Sequence, residues 1–139
     1  MALKIVAWYK KRWGIEEWHR IIKSGCKAEE RYLESADALK AALAFDLVIA
    51  WRVLMLMKLG RETPDLPCDV FFDKSEWDVL CNVYNDENIK KAPTLSRMIL
   101  AIAILGGYKN RKSDGPPGAQ NIWRGLMRLH DITMIYCKM

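Results

Sequence analysis

Residues 9–25 read YKKRWGIEEWHRIIKSG. Ile15, Trp18, Ile21 and Ile22 recur three and four residues apart, the spacing of one helix face and not the alternation of a strand. Carried outward, the pattern predicts a helix over Leu3–Ser24 that stops at Gly25. At about 100° per residue, Tyr9, Arg12, Glu16, Arg20 and Lys23 share a stripe about 80° wide on the other side. A phenol, a carboxylate and three cations are thus lined up on one face. The spacing alone admits two readings: a solvated face laced with ion pairs of a few tenths of a kcal/mol each, or an ordered polar site anchored by the opposite apolar side.

The helical period continues along the chain. The stretch CKAEERYLES (26–35) is expected to be partly helical, and Ser35 suits an N-cap for a long helix over Ala36–Leu59, closed by Gly60. Pro64 and Pro67 make Arg61–Asp69 a loop or surface strap. Asp73 or Ser75 can then cap a helix whose apolar positions Trp77, Leu80, Cys81 and Tyr84 predict an end near Asn85. Pro93 suits the first turn of an apolar helix that runs to Gly106-Gly107. RKSDGPPG (111–118) is the strongest turn signal, and Asn121–Lys138 forms a last amphipathic helix. No stretch alternates convincingly with period two. The fold class is all-α and bundle-like.

With 139 residues and 51% hydrophobic content, the chain has ample material for a core. Its 22 basic and 17 acidic residues give +5, which is compatible with a polyanionic partner without requiring one. Six tryptophans point to core or interface. The four cysteines show no C-x-x-C spacing and only His19 and His130 are available, so reduced thiols of a cytoplasmic protein are expected and not a zinc site. No leader pattern opens the sequence. Its most apolar run, 38–60, is broken by Lys40, Asp46, Arg52 and Lys58, so a buried helix is expected there and no membrane span.

The order Tyr9-x-x-Arg12-x-x-x-Glu16, followed after six residues by Lys23, resembles the Y-R-E-K signature of bacterial insertion-sequence transposases of the DDE class. The wording RWGIEEWHRIIKSG is similar to the transposon Tn-five branch of that family. So are AEERYLESADALKAALAF (28–45) and AIAILGGYKNRKSDGPPGAQNIWRGLMRL (101–129). Four signature residues are weak evidence in isolation; joined to this collinear tail, they make a strong match over nearly the whole chain.

The resemblance implies that residues 1–25 are the last helix of an RNase-H-like catalytic core, detached from its sheet, and that 26–139 form the helical C-terminal dimerisation domain. Glu16 would match the catalytic glutamate that, with two aspartates, holds Mg2+ or Mn2+ in the complete enzyme. Glu17 does not keep the spacing to both Arg12 and Lys23. Tyr9, Arg12 and Lys23 would contact phosphates of the transposon end, and Arg20 lies on the same stripe. Hard carboxylate ligands and flanking cations suit two-metal attack on a phosphodiester. The family's two aspartates precede this helix, and Asp37, Asp46 and Asp65 follow it without matching. The chain alone is therefore expected to bind no metal cofactor and neither to cleave nor to join DNA, as a transposase piece truncated by design or encoded as a fragment.

The implied partners are DNA and a second copy of the chain, with no membrane, no small-molecule substrate and a location in the bacterial cytoplasm. On the last helix Ile122, Leu126, Leu129, Thr133 and Tyr136 make one stripe, and Trp123, Met127, His130 and Met134 an adjacent one. One stripe can serve the core and the other a second subunit, or both can be core. Ile122, Trp123, Leu126, Leu129 and Thr133 are the candidate pairing residues. His130 reads as a packed or solvated side chain and not a ligand. Lys109, Arg111 and Lys112 form a basic turn that either is solvated or meets phosphate. Without a sheet above them, Ile15, Trp18 and Ile22 need cover from later helices or from self-association. A helical regulator that inhibits transposition by pairing with the full enzyme is the alternative function, and an unrelated helical protein is a third.

Overall fold

In the computed structural model, residues 2–84 and 92–138 are described. Their secondary structure is helical, with one isolated antiparallel bridge between Pro67 and Thr94. The helices are α1 (Ala2–Lys10), α2 (Arg12–Arg20), α3 (Ala36–Glu62), α4 (Lys74–Val83), α5 (Leu95–Leu105) and α6 (Ala119–Tyr136). Contacts divide the chain into two units, Met1–Leu54 and Met55–Met139, with the division inside α3. The expected end of α4 near Asn85 lies outside the described residues.

In the first unit, the single helix expected over Leu3–Ser24 is interrupted. The Lys11 amide donates to Trp8 O at 3.1 Å and the Gly14 amide to Lys11 O at 3.1 Å, a tightened turn that separates α1 from α2. Beyond Arg20 the backbone widens into a π-turn over Ile21–Gly25, closed by the Cys26 amide on Ile21 O at 3.1 Å. Ser24 contributes to this, because its hydroxyl donates back to Arg20 O at 2.6 Å and competes with the regular ladder. A short 3-10 turn, Ala28–Glu30, follows.

α3 is the surface on which α2 and this turn are tied down. The Trp18 indole N–H donates to Leu47 O at 3.2 Å, and the Cys26 thiol to Asp46 O at 3.9 Å. Arg31 Nη2 meets Asp46 Oδ1 at 2.8 Å, and Asp46 is buried. Ile21, Ile22, Cys26 and Ala50 are buried in the same unit. Ser35 caps α3 as its sequence suggests, its Oγ accepting the Ala38 amide at 3.1 Å.

In the second unit, α3 continues past Gly60 to Glu62. That glycine is not a stop: the helix runs through it, and a Cβ there would lie 2.7 Å from Ile99 Cδ1, the movable end of a side chain packed over it. The strap has a role that its sequence did not disclose. Pro64 O accepts the Ser96 amide at 3.1 Å and Leu66 O the Leu95 amide at 2.6 Å, while Cys68 donates to Pro93 O at 2.9 Å. Its carbonyls thus satisfy amides at the N-terminus of α5, which have no partner inside the helix. Asp73 starts α4 through a capping box, with Glu76 Oε2 accepting the Asp73 amide at 2.9 Å.

The core of this unit is Leu56, Cys68, Phe72, Trp77, Val79, Leu80, Leu95, Met98, Ile102, Ile122 and Leu129, all buried. α5 and α6 meet backbone to backbone. A Cβ on Gly125 would stand 1.9 Å from Ile102 O, and one on Gly106 1.8 Å from Asn121 O. The Arg128 guanidinium then donates to Leu105 O, a cation on the C-terminal carbonyls of α5. Gly107 leaves the helix at φ +95°, which favours glycine.

Candidate functional site

The polar stripe of the first unit is partly assembled. Arg12 Nη1 donates to the Tyr9 hydroxyl at 3.2 Å and Nη2 to Glu16 Oε1 at 3.1 Å, with Arg12 Cζ 5.5 Å from the centre of the Tyr9 ring. Tyr9, Arg12, Trp13 and Glu16 line a cavity of about 220 Å³. Trp13 was not picked out from the sequence, although it stands four residues after Tyr9 and so belongs to the same helix face. The other two cations of the stripe are turned elsewhere. Arg20 lies 3.8 Å from Glu17, and Lys23 Nζ lies 3.0 Å from Glu29 Oε1. The π-turn accounts for Lys23, since it departs from the regular period on which the wheel rests.

Of the residues expected to anchor this helix, Ile21 and Ile22 are buried and Trp18 is partly covered. Ile15 remains 55% exposed, together with Trp8 at 73% and Trp13 at 69%. The first unit therefore covers only part of its own apolar surface.

A divalent-metal centre needs several hard oxygen ligands. Among the described residues no group of three or more His, Cys, Asp or Glu is placed to hold a metal ion. Glu16 stands in the row with Arg12 as its neighbour and no second carboxylate of the stripe beside it. These residues alone do not fit the two-metal site of a DDE enzyme.

The two buried thiols are quiet. Burial, and then the nearby Asp69 and Cys81, push Cys68 up to about 12. Burial and then Asp46 raise Cys26. Cys137 is exposed. Among the described residues no helix is long and apolar enough to cross a membrane.

In the second unit α6 carries the informative surface. Ile122 and Leu129 are buried, Leu126, Thr133 and Trp123 are partly covered, and Tyr136 accepts a hydrogen bond from Asn82 Nδ2 at 3.2 Å. The stripe Ile122–Leu126–Leu129–Thr133 is thus the one that closes the core. The adjacent stripe is left open: Met127 is 47% exposed, Met134 48%, and His130 is exposed between them. Of the five candidate pairing residues, Ile122 and Leu129 are inside the unit, and Trp123 lies on the open stripe. Before α6, the Tyr108 hydroxyl donates to Gly115 O at 2.6 Å and the Arg111 amide to Asp114 Oδ2 at 2.9 Å. These bonds hold a turn on which Lys109, Arg111 and Lys112 are all exposed.

A small helical unit whose last helix closes a core with one stripe and offers a second apolar stripe to solvent has the build of a subunit-pairing module. Residues 48–135 match the family described as Transposase Tn5 dimerisation domain. The match covers more than half of the chain, and the chain belongs to that family. It is a transposase-related, all-α subunit-pairing protein.

Proposed function

We propose that this chain serves as the C-terminal part of a cut-and-paste DNA transposase, pairing two subunits through the open stripe of α6. The observation that carries the reading is the exposed row Met127, His130 and Met134, continued by a partly covered Trp123, on the helix whose other stripe is filled by the core. Burial of such a row in a second copy removes apolar surface from water at about 25 cal/mol per Å². Pairing has a purpose in transposition, because two transposon ends are brought into one complex.

The first unit supplies the second half of the proposal. Tyr9, Arg12 and Glu16 already form one hydrogen-bonded row on an exposed face, and Arg20 and Lys23 are exposed cations on the same unit; the basic turn of the second unit is a separate phosphate contact in this reading. Glu16 is proposed as the third acidic ligand of a metal site whose other carboxylates come from outside the described residues. The exposed Arg12–Glu16 pair is worth at most about 1 kcal/mol, so a phosphate can draw Arg12 away at little cost.

The test is the solution mass by light scattering over a range of concentrations. The wild-type chain is expected to be a dimer and the Met127→Glu/Met134→Glu variant a folded monomer. Both positions are exposed, so the variant keeps its core, whereas charges at Leu126 and Leu129 would act through the buried Leu129 and unfold the unit. A wild-type chain that stays monomeric at every concentration refutes the pairing role.

A further inference from the structure

On α6, at about 100° per residue, Trp123, Met127, His130 and Met134 lie within about 60° of one another. Arg124 and Asp131 are set along one edge of that row, about 20° apart in azimuth. Both are exposed, and neither side chain has a partner among the described residues. Their neighbour Arg128 is used differently, on the carbonyl that ends α5. Two opposite charges, seven residues apart on one edge of an apolar stripe, constrain how the stripe meets its own copy.

In a parallel, in-register pair of α6 helices the charged edge of each copy lies on the opposite side of the contact from its partner's, against the Leu126–Thr133 edge, so neither Arg124 nor Asp131 meets an opposite charge. An antiparallel pair sets the same edges of the two helices together with the sequence reversed. Resting on the pairing reading above, we infer that α6 pairs antiparallel with a second copy about a two-fold axis that crosses between Met127 and Arg128, so that Arg124 faces the partner's Asp131 and Asp131 faces the partner's Arg124. The register is the one in which both ion pairs form at once, and the two-fold makes them equivalent. It also places Trp123 opposite the gap between the partner's His130 and the partner's Met134, an aromatic anchor seated among a thioether and an imidazole. Met127 meets the partner's Met127 beside the axis, with soft side chains that adapt to a self-contact. The apolar row supplies the attraction, and the flanking charges select polarity and register.

The geometry separates this arrangement from its alternatives. At about 1.5 Å rise per residue, the two copies of residue 127 are offset by about 1.5 Å along the axis, and those of residue 134 by about 20 Å. A disulfide requires Cα atoms within about 7 Å. In a Cys137→Ser background, which removes the exposed native thiol, Met127→Cys is expected to yield a covalent dimer on mild oxidation and Met134→Cys to yield none. Separately, Arg124→Glu and Asp131→Arg are each expected to weaken homodimerisation tenfold or more at low salt. Mixed in equal amounts, the two variants are expected to form a heterodimer of near wild-type affinity, because every edge contact is again between opposite charges. Circular dichroism on each variant verifies that the helices are intact. Cross-linking at both 127 and 134 would mean a parallel pair and overturn the inference. So would a wild-type dimer in which neither position cross-links, leaving pairing through another face. A wild-type monomer would remove the pairing reading itself.

Discussion

The α5–α6 crossing permits a sharp test of the fold that presents the pairing face. Replacing Gly125 by alanine adds a methyl group whose ideal position is 1.9 Å from Ile102 O, 2.7 Å from Ile102 C and 2.8 Å from Ile102 Cγ2. Two of these three atoms are backbone and have no rotamer to escape into. Relief requires the helices to part by at least about 1 Å, and a gap of that order forfeits a quarter to a half of each contact across it. The contacts at risk are those of Ile102, Ile122 and Leu129, all buried. Overpacking of this kind costs about 1–3 kcal/mol, and a carbonyl as the obstacle puts the change at the upper end. Alanine recovers about 1 kcal/mol of helix propensity relative to glycine. The net expectation is a loss of about 2 kcal/mol, or roughly 10 °C in Tm for a unit of this size. Urea unfolding followed by far-ultraviolet circular dichroism, at one fixed protein concentration so that association does not shift the midpoint, measures it. Gly115→Ala is the control: nothing lies within 4 Å of a Cβ there, and its stability should stay within about 0.5 kcal/mol of wild type. A Gly125→Ala chain as stable as the control, or more stable, would refute the close crossing.

Three other outcomes are expected. Arg31→Met should cost about 2–3 kcal/mol in urea unfolding, at the low end for a buried pair because Arg31 is itself 38% exposed, and Arg31→Met/Asp46→Leu should recover much of that loss; a double variant no better than the single would show that the buried carboxylate is not what the arginine serves. Alkylation with iodoacetamide near pH 8, followed by peptide mapping, should label Cys137 first and leave Cys68 unmodified in the folded chain, since a thiol pushed up to about 12 is almost wholly protonated there; rapid labelling of Cys68 would contradict its burial. Arg12→Gln/Lys23→Gln should lower duplex DNA affinity and reduce the slope of log K against log salt by about 2, one for each lost phosphate contact; an unchanged slope would remove both residues from the DNA surface.

The helical class and the order of elements were legible because Trp77, Leu80 and the apolar residues of α5 and α6 recur at helical spacing, and because Ser35 and Asp73 are residues that cap. Illegible features arose where a side chain or a neighbour overrules the local signal. Gly60 has the look of a helix stop, yet the helix runs through it and Ile99 packs over it, a fact of packing that one sequence does not display. The π-turn at Ile21–Gly25 depends on a hydroxyl bonding back to Arg20 O, and it separates Lys23 from the row that the wheel drew. The strap over 61–72 has no motif because it works through its carbonyls, which every residue carries. On α6 the two stripes were visible, but which of them is core is decided by where α5 lies. Glycines 106 and 125 settle that by letting α5 in on the Ile122–Leu129 side.

The two units differ in how completely they cover themselves, and this bears on how the work is divided between them. In the second, the buried set is continuous from Leu56 to Leu129, and the open stripe of α6 is narrow enough for one partner helix. In the first, α3 buries Asp46 and Ala50 on one side while Phe45 at 71%, Val48 at 66% and Trp51 at 56% stand exposed on the other. Ile5, Trp8, Trp13 and Ile15 are exposed on α1 and α2 as well. A helix that is apolar on opposite sides is characteristic of the interior of a larger body, and contiguous apolar surface of this kind marks a contact site. The Tyr9–Arg12–Glu16 row is thus mounted on a support that is not covered by its own unit, whereas the α6 stripe rests on a closed core. Pairing can therefore be measured on the second unit's own footing. The metal-binding role proposed for Glu16 would require a surface that closes over α1, α2 and α3 and brings further carboxylates with it.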